Sequence, residues 1–217
     1  MKTCWRGIQI MIIANGTVVT AEASFSADVR IEGEKIIEIG RGLAAYNSDE
    51  LVIDATDTLV MPGGVDVHTH MEMSLGSVRA SDDFLTGTIA AACGGTTTII
   101  DHMSFGPPGC SLTQQIETYH QLAKDRAVID YGFHGVVSHV DDTILDELAQ
   151  LADEGITSLK FYMTYDNRLN DREIVRLLMR TKELGLLCCV HCEDHEMLTA
   201  LRERFVAEGK TSPEYHT

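Results

Sequence analysis

The hydrophobic pattern of the chain changes near Thr58. Before this point, short apolar stretches alternate with turn signals and show hardly any helical period, which is typical of β-strands. Asn15-Gly16 predicts a hairpin turn, and residues 27–31 and 35–39, joined through Gly33-Glu34, predict a second hairpin. We therefore expect a small β-sandwich domain over residues 11–58, preceded by an N-terminal extension over residues 1–10.

From residue 59 onward, apolar runs alternate with amphipathic segments. The runs predict strands over residues 60–67, 96–101, 128–137, 158–163 and 186–190, and the segments between and after them predict helices over residues 82–93, 112–125, 142–154, 171–184 and 195–208. Ser111 with Gln114 and Asn170 with Glu173 predict capping boxes, and Gly185 predicts a helix end. Successive β-then-α units indicate a parallel sheet with helices outside it.

A doubly wound sheet and a (β/α)8 barrel both accommodate such units. The glycine fingerprint of dinucleotide-binding sheets does not follow the first strand, and Cys93-Gly94-Gly95-Thr96 precedes a strand instead. The candidate site residues fall at or near the carboxyl ends of predicted strands, where a barrel keeps its active site. We therefore predict α/β architecture, with residues 59–217 forming about five of the eight units of a barrel.

His68-Thr69-His70 ends the first strand of this predicted barrel. Side chains alternate across a strand, so both imidazoles project from the same face and are able to hold one metal ion. Imidazole suits zinc and other first-row metals. The alternative is a pair of ordinary strand histidines, and His68 and His70 by themselves do not exclude it.

Lys160 lies in the middle of the buried strand Ser158-Leu159-Lys160-Phe161-Tyr162. A buried lysine is costly unless it is paired or modified. One interpretation is a buried ion pair. The other is that burial favours the neutral amine, which reacts with carbon dioxide to give a carbamate whose two oxygens could bridge two cations.

His191 ends the fifth predicted barrel strand within Cys189-Val190-His191-Cys192. A zinc ribbon or redox pair at Cys189 and Cys192 is an alternative to a functional His191. No second Cys-x-x-Cys completes a thiolate site, and a redox motif normally opens a helix, so we interpret the cysteines as small buried residues and His191 as the functional residue. Tyr165, in the loop after the Lys160 strand, is either a loop anchor or a phenol that stabilises an oxyanion.

Other histidines also lie near strand ends, namely His102, His134 and His139. None of the three has a partner at a useful spacing in the sequence. We therefore do not predict them as metal ligands.

Charge and cysteine content narrow the class of protein. The formal net charge of −16 leaves no basic stripe to neutralise phosphates, so we expect neither nucleic-acid nor membrane-surface binding. Six cysteines and no secretory signal favour reduced thiols and a cytoplasmic location.

Several stretches together resemble the dihydropyrimidinase and D-hydantoinase branch of the amidohydrolase superfamily. They include Pro62-Gly63-Gly64-Val65-Asp66-Val67-His68-Thr69-His70, Gly94-Gly95-Thr96-Thr97-Thr98, Asp101-His102-Met103 and Gly155-Ile156-Thr157-Ser158-Leu159-Lys160. The similarity extends over nearly all of residues 11–215 and is strongest to bacterial enzymes of this branch.

The resemblance implies a binuclear metal site and a reaction. His68 and His70 would hold one ion, N6-carboxylated Lys160 would bridge two divalent ions, expected to be zinc, and His191 would bind the second. Tyr165 would contact the substrate and stabilise the tetrahedral intermediate. The implied reaction opens a cyclic ureide or imide, such as a 5-substituted hydantoin or a dihydropyrimidine, to an N-carbamoyl amino acid. A homo-oligomer, dimer or tetramer, is implied for the full-length form.

The resemblance also implies that part of the site lies beyond this sequence. The family takes a further histidine from the sixth strand and an aspartate from the eighth, and Thr217 comes shortly after the fifth helix. We therefore expect these 217 residues to be a fragment that is inactive alone. An allantoinase or dihydroorotase of the same fold, or a non-catalytic scaffold, remains an alternative for the complete protein.

Overall fold

A computed structural model of the chain describes residues 10–48, 50–75 and 77–215. The chain forms two compact units, Met1–Gly63 and Gly64–Thr217. The division therefore falls after Gly63, later than the expected boundary between residues 58 and 59. The predicted N-terminal extension, apart from Ile10, lies outside the described residues.

The first unit is built on one five-stranded sheet. Its strands are β1 (Ile10–Val19), β2 (Ser24–Glu32), β3 (Lys35–Gly40), β4 (Leu51–Asp54) and β5 (Leu59–Val60). The strand order is β3-β2-β1-β4, and β5 also pairs with β1. The hairpin predicted at Gly33-Glu34 is confirmed, because β2 and β3 pair antiparallel and Gly33 has a φ of 59°.

The hairpin predicted at Asn15-Gly16 is wrong, because β1 runs straight through this dipeptide. The pairing with β2 shifts register between Ile13 and Gly16, which marks a β-bulge, and Asn15 takes a left-handed φ of 63°. Pairing with β4 precedes the bulge and pairing with β5 follows it. A Cβ on Gly16 would lie 2.5 Å from Cγ2 of Val60, so glycine permits the close approach of β5.

The second unit contains a five-stranded parallel sheet with helices between its strands. Its strands, in sheet order, are β12 (Leu187–His191), β11 (Ser158–Tyr162), β10 (Asp130–Val136), β9 (Thr96–His102) and β6 (Gly64–Thr69). The helices are α1 (Phe84–Cys93), α2 (Leu112–Ala123), α3 (Asp142–Asp153), α4 (Asp171–Leu184) and α5 (His195–Ala207). A short hairpin, β7 (Ser74–Leu75) with β8 (Val78–Arg79), follows β6, and a 3-10 turn, Pro213–Tyr215, follows α5.

Local signals set the helix ends largely as the sequence predicts. The capping box of Asn170 and Glu173 is present at the start of α4, and Gly185 ends that helix in the left-handed conformation. The capping box predicted at Ser111 is only half formed. Ser111 accepts from the amide of Gln114, but Gln114 Oε1 accepts from the Cys110 thiol at 3.5 Å and the Gln114 side chain makes no return bond to the Ser111 amide. Among the described residues, no helix has the length and apolar content needed to cross a membrane.

The main core lies where the helices pack on one face of the parallel sheet. It joins Ile99, Phe133 and Leu159 of the strands to residues such as Leu148 and Leu177 of the helices. The apolar residues of β6 do not join this core. Val65 is 61% and Val67 58% exposed, because β6 is an edge strand that pairs within the described residues with β9 alone.

Candidate metal centre

The register of the parallel sheet places four polar residues on one face: His102 of β9, His134 of β10, Lys160 of β11 and His191 of β12. His102 pairs directly with His134. Val136, two residues after His134, pairs with Lys160, and Tyr162, two residues after Lys160, pairs with His191. Because side chains alternate along a strand, all four point to the face opposite the helices.

Three imidazoles meet at the carboxyl ends of β6 and β9. The ring centroids lie 5.2 Å apart for His68 and His70, 4.4 Å for His68 and His102, and 5.0 Å for His70 and His102. One nitrogen from each ring lies within 4.8 Å of the others. The chemistry of this donor set fits a first-row transition metal such as zinc.

His102 is not grouped with His68 and His70 by sequence spacing, because the relevant spacing is between strands rather than along the chain. His102 follows His70 by more than thirty positions, yet parallel pairing brings the ends of β6 and β9 together. The signal that could have found it is its position at the end of the very next strand, where barrel side chains converge.

His134 also contacts the cluster, with its ring centroid 4.4 Å from that of His102. Both of its nitrogens have other partners. Nε2 lies 2.9 Å from the carbonyl oxygen of Val67, and Nδ1 lies 2.6 Å from Oγ of Ser158. A carbonyl only accepts, so Nε2 donates and Nδ1 accepts from the hydroxyl. Both ring nitrogens of His134 are therefore engaged in hydrogen bonds.

Asp101 fixes the backbone around His70 from the opposite face of β9. Its Oδ1 accepts from the hydroxyl of Thr69 at 2.7 Å and from the amide of Met71 at 2.8 Å. These two donors flank His70 in the sequence. Asp101 is fully buried, and this burial raises its pKa to about 7 against the opposing effect of the two hydrogen bonds.

The surroundings of His70 and His102 favour the uncharged imidazole at these two residues. Burial, the neighbouring histidines and the charge of Lys160 lower the pKa of His102 to about 3. Burial, His68 and Lys160 also lower the pKa of His70. A neutral imidazole has the free lone pair that a metal ion requires.

Lys160 is buried, with 8% of its surface exposed, and its charge acts on His70 and His102. The described residues provide no carboxylate partner for its ammonium group, whose ring neighbour is Tyr162 at 5.3 Å from the centroid. This speaks against the interpretation as a buried ion pair. An unpaired buried ammonium is costly.

His191 and Tyr165 form a second group, next to the first along the same face. Tyr165 Oη lies 3.3 Å from Nε2 of His191, which also lies 2.5 Å from Oε2 of Glu193. Tyr162 stacks on His191 with centroids 5.7 Å apart. The structure thus brings His68 and His70 together with Lys160 nearby, and places His191 with Tyr165 rather than in the three-histidine cluster.

Tyr165 combines exposure with an unusual backbone. It is 48% exposed and adopts a left-handed φ of 72°, which costs free energy for a bulky residue. Burial of part of the ring and the carboxylate of Glu193 raise the pKa of its phenol, so the hydroxyl stays protonated and able to donate. Such strain is typical of functional positions.

The alternative zinc site at Cys189 and Cys192 has no support in the described part of the chain. Among the described residues, the side chains that cluster closely enough to hold a metal ion are those of His68, His70 and His102. Cys192 instead contacts the sulfur of Met163 at 3.4 Å.

A parallel α/β sheet that carries imidazoles at the carboxyl ends of its strands is the arrangement of a barrel-type, metal-dependent enzyme. The chain belongs to the amidohydrolase family, which matches residues 59–216.

Several relatives of the chain are hydantoinases or dihydropyrimidinases. A D-phenylhydantoinase of Escherichia coli is 48% identical over 206 residues, which are 95% of this chain and 44% of that protein. The dihydropyrimidinase structure from Brevibacillus agri is 48% identical with a TM-score of 0.89, and the D-hydantoinase (dihydropyrimidinase) structure from Thermus sp. is 35% identical with a TM-score of 0.87. Each match covers 95% of this chain and 45% of the solved one.

These matches confirm the predicted family and the predicted amidohydrolase-type barrel fold. The chain spans less than half the length of the relatives it matches.

Proposed function

We propose that the protein hydrolyses cyclic ureides or imides, such as 5-substituted hydantoins or dihydropyrimidines, to N-carbamoyl amino acids. The observation that carries the proposal is Lys160, buried without a carboxylate partner among the described residues and beside His70 and His102. The similarity of the chain to D-phenylhydantoinase supports the substrate class. His68, His70, carboxylated Lys160 and His191 would hold two divalent ions, proposed to be zinc.

Each residue group has a separate task in this proposal. Bound divalent ions supply Lewis acidity and make water reactive near neutral pH. Tyr165 donates its phenolic proton in a hydrogen bond to the ring carbonyl oxygen as negative charge develops there. Glu193 holds His191 through the 2.5 Å contact to Nε2, so a ligand role for His191 through this atom requires Glu193 to release it.

The test of the reaction uses a chimera, because the chain spans less than half of its relatives. The chain is continued with the remaining part of a D-hydantoinase and assayed on hydantoins, dihydrouracil, allantoin and dihydroorotate. We expect turnover of hydantoins, with kcat lowered about 10²–10³-fold by Tyr165→Phe. Preference for allantoin or dihydroorotate would favour the alternative enzymes, and a folded chimera without bound metal would favour the scaffold.

The modification of Lys160 has its own readout. The wild-type chimera is incubated with ¹³C-labelled bicarbonate and zinc and observed by ¹³C NMR. We expect a carbamate carbon resonance, and we expect this resonance to be missing from the Lys160→Arg variant. Persistence of that resonance in Lys160→Arg, or its absence in the wild-type chimera, would contradict the proposal.

We also propose a cytoplasmic location and a homo-oligomeric full-length form. The described cysteines Cys93, Cys110, Cys188, Cys189 and Cys192 are all free, which favours a reducing compartment. The oligomer rests on the family resemblance. Cell fractionation checks the first statement, and light scattering of the full-length form checks the second.

A further inference from the structure

We infer that His102 is a third protein ligand at the metal position of His68 and His70, so that this chain holds one divalent cation through three imidazoles. The inference rests on the proposed function in taking His68 and His70 as ligands. It adds a residue from β9 to a site that the proposal builds from β6, β11 and β12. The cation belongs to the first-row transition metals, because imidazole binds these in preference to magnesium or calcium.

The position of His102 favours this role. Its ring centroid is closer to that of His68, at 4.4 Å, than the ring of His70 is, at 5.2 Å. The backbone of β9 is fixed at this point, because His102 pairs with His134 and the preceding Asp101 pairs with Thr69. The imidazole is therefore carried by a paired strand and not by a loop.

One ring nitrogen of His102 has no hydrogen-bond partner among the described residues and is therefore available to bind a metal ion. His102 is 3% exposed, and its Nδ1 is a buried nitrogen without a hydrogen-bond partner in the described part of the chain. Buried polar nitrogens are normally satisfied, so an orphaned one within a histidine cluster needs a partner. His134, which is similarly buried, has both nitrogens engaged by Val67 and Ser158 and serves as the internal comparison.

The three-histidine arrangement gives the site a distinct property. Its ligands come from β6 and β9 alone, so cation binding requires neither carboxylation of Lys160 nor release of His191 by Glu193. We therefore expect the purified 217-residue chain to bind one cation per molecule in solution kept free of carbon dioxide.

The experiment titrates the metal-free 217-residue chain with cobalt(II). Visible absorption reports the cobalt environment, and equilibrium dialysis gives the number of ions bound and the affinity. We expect one site, weakened at least about tenfold by His102→Gln. His120→Gln, which removes an exposed imidazole on α2, is the matched control and should leave the affinity unchanged. Circular dichroism establishes that each variant is folded.

Two further measurements do not depend on a loss of affinity. His102→Cys should create a thiolate-to-cobalt charge-transfer band at one equivalent of cobalt, because a thiolate then enters the coordination sphere. X-ray absorption of the wild-type zinc complex should count three imidazoles.

The outcomes separate this inference from the proposed function. If His68→Gln abolishes binding but His102→Gln does not, His102→Cys gives no new band and zinc has two imidazoles, the inference is overturned and the proposed site stands. If His68→Gln also leaves cobalt binding unchanged, both fail.

Discussion

His134 hydrogen-bonds to the backbone of a strand that is not its neighbour. Its Nε2 lies 2.9 Å from the carbonyl oxygen of Val67, although β9 lies between β10 and β6 in the sheet. Val67 directly precedes His68. The His134 side chain, on the face of the sheet opposite the helices, thus positions the edge strand that carries His68 and His70.

Replacing His134 should weaken metal binding without removing a ligand. His134→Phe leaves the Val67 carbonyl without its donor and frees β6 to move, so we expect about 10–100-fold weaker zinc affinity, as for other residues that orient ligands. A competition titration against a chromophoric chelator measures this. Ser158→Ala removes the contact at Nδ1 alone and should have the smaller effect; equal affinities for His134→Phe and wild type would refute the positioning role.

Asp101 should act through its acceptor oxygen rather than its charge. Asp101→Asn retains an oxygen for Thr69 and Met71, and we expect near wild-type metal affinity. Asp101→Leu has a side chain of similar size without an acceptor, so the Thr69 hydroxyl and the Met71 amide lose their hydrogen-bond partner. We expect this to cost about 1–3 kcal/mol of folding stability and to make the position of His70 less fixed. Urea unfolding and the same chelator competition check both effects. A large loss in Asp101→Asn with a small loss in Asp101→Leu would contradict this account.

Gly16 should be needed for the approach of β5 to β1. In Gly16→Ala the new Cβ meets Cγ2 of Val60 at 2.5 Å, so we expect destabilisation by about 1–3 kcal/mol through overpacking. Chemical unfolding gives the free energy. In the double variant with Val60→Ala, the atom that clashes is gone, and the cost of Gly16→Ala should shrink. Additive effects of the two substitutions would show that the clash is not the cause.

Asp28 should contribute to the free energy of unfolding at neutral pH, and this contribution should be lost in acid. The amides of Asn15 and Leu43 donate to its carboxylate at 2.7 and 2.8 Å and lower its pKa below the ordinary value of 3.8. A depressed pKa stabilises the fold above the unfolded-state pKa, and this contribution is lost as the pH falls below 3.8 towards the folded-state pKa.

The measurement is the free energy of unfolding between neutral pH and acid. Asp28→Asn should be less stable than wild type at neutral pH, and the difference should shrink as the pH falls. Asp57→Asn, at an exposed turn position, is the matched control and should follow the wild-type curve. A constant difference between Asp28→Asn and wild type at all pH values would contradict the role of the ionised carboxylate.

The sequence by itself determined the order of elements in the second unit, because strand runs and helix periods are local signals. The capping box at Asn170 and the left-handed end at Gly185 depend on a few neighbouring residues and were predicted from them. His68 and His70 were also accessible, since alternation along one strand places both on one face.

The tertiary structure decided whatever depends on pairing between strands. Asn15-Gly16 has the composition of a hairpin turn, yet the successive pairing of β1 with β4 and β5 makes it a bulge. His102 joins the cluster only because β9 lies beside β6, and His134 contacts the cluster but has both ring nitrogens engaged by Val67 and Ser158. Sequence spacing records distance along one strand, whereas register between strands sets which side chains meet, and that register exists only in the folded sheet.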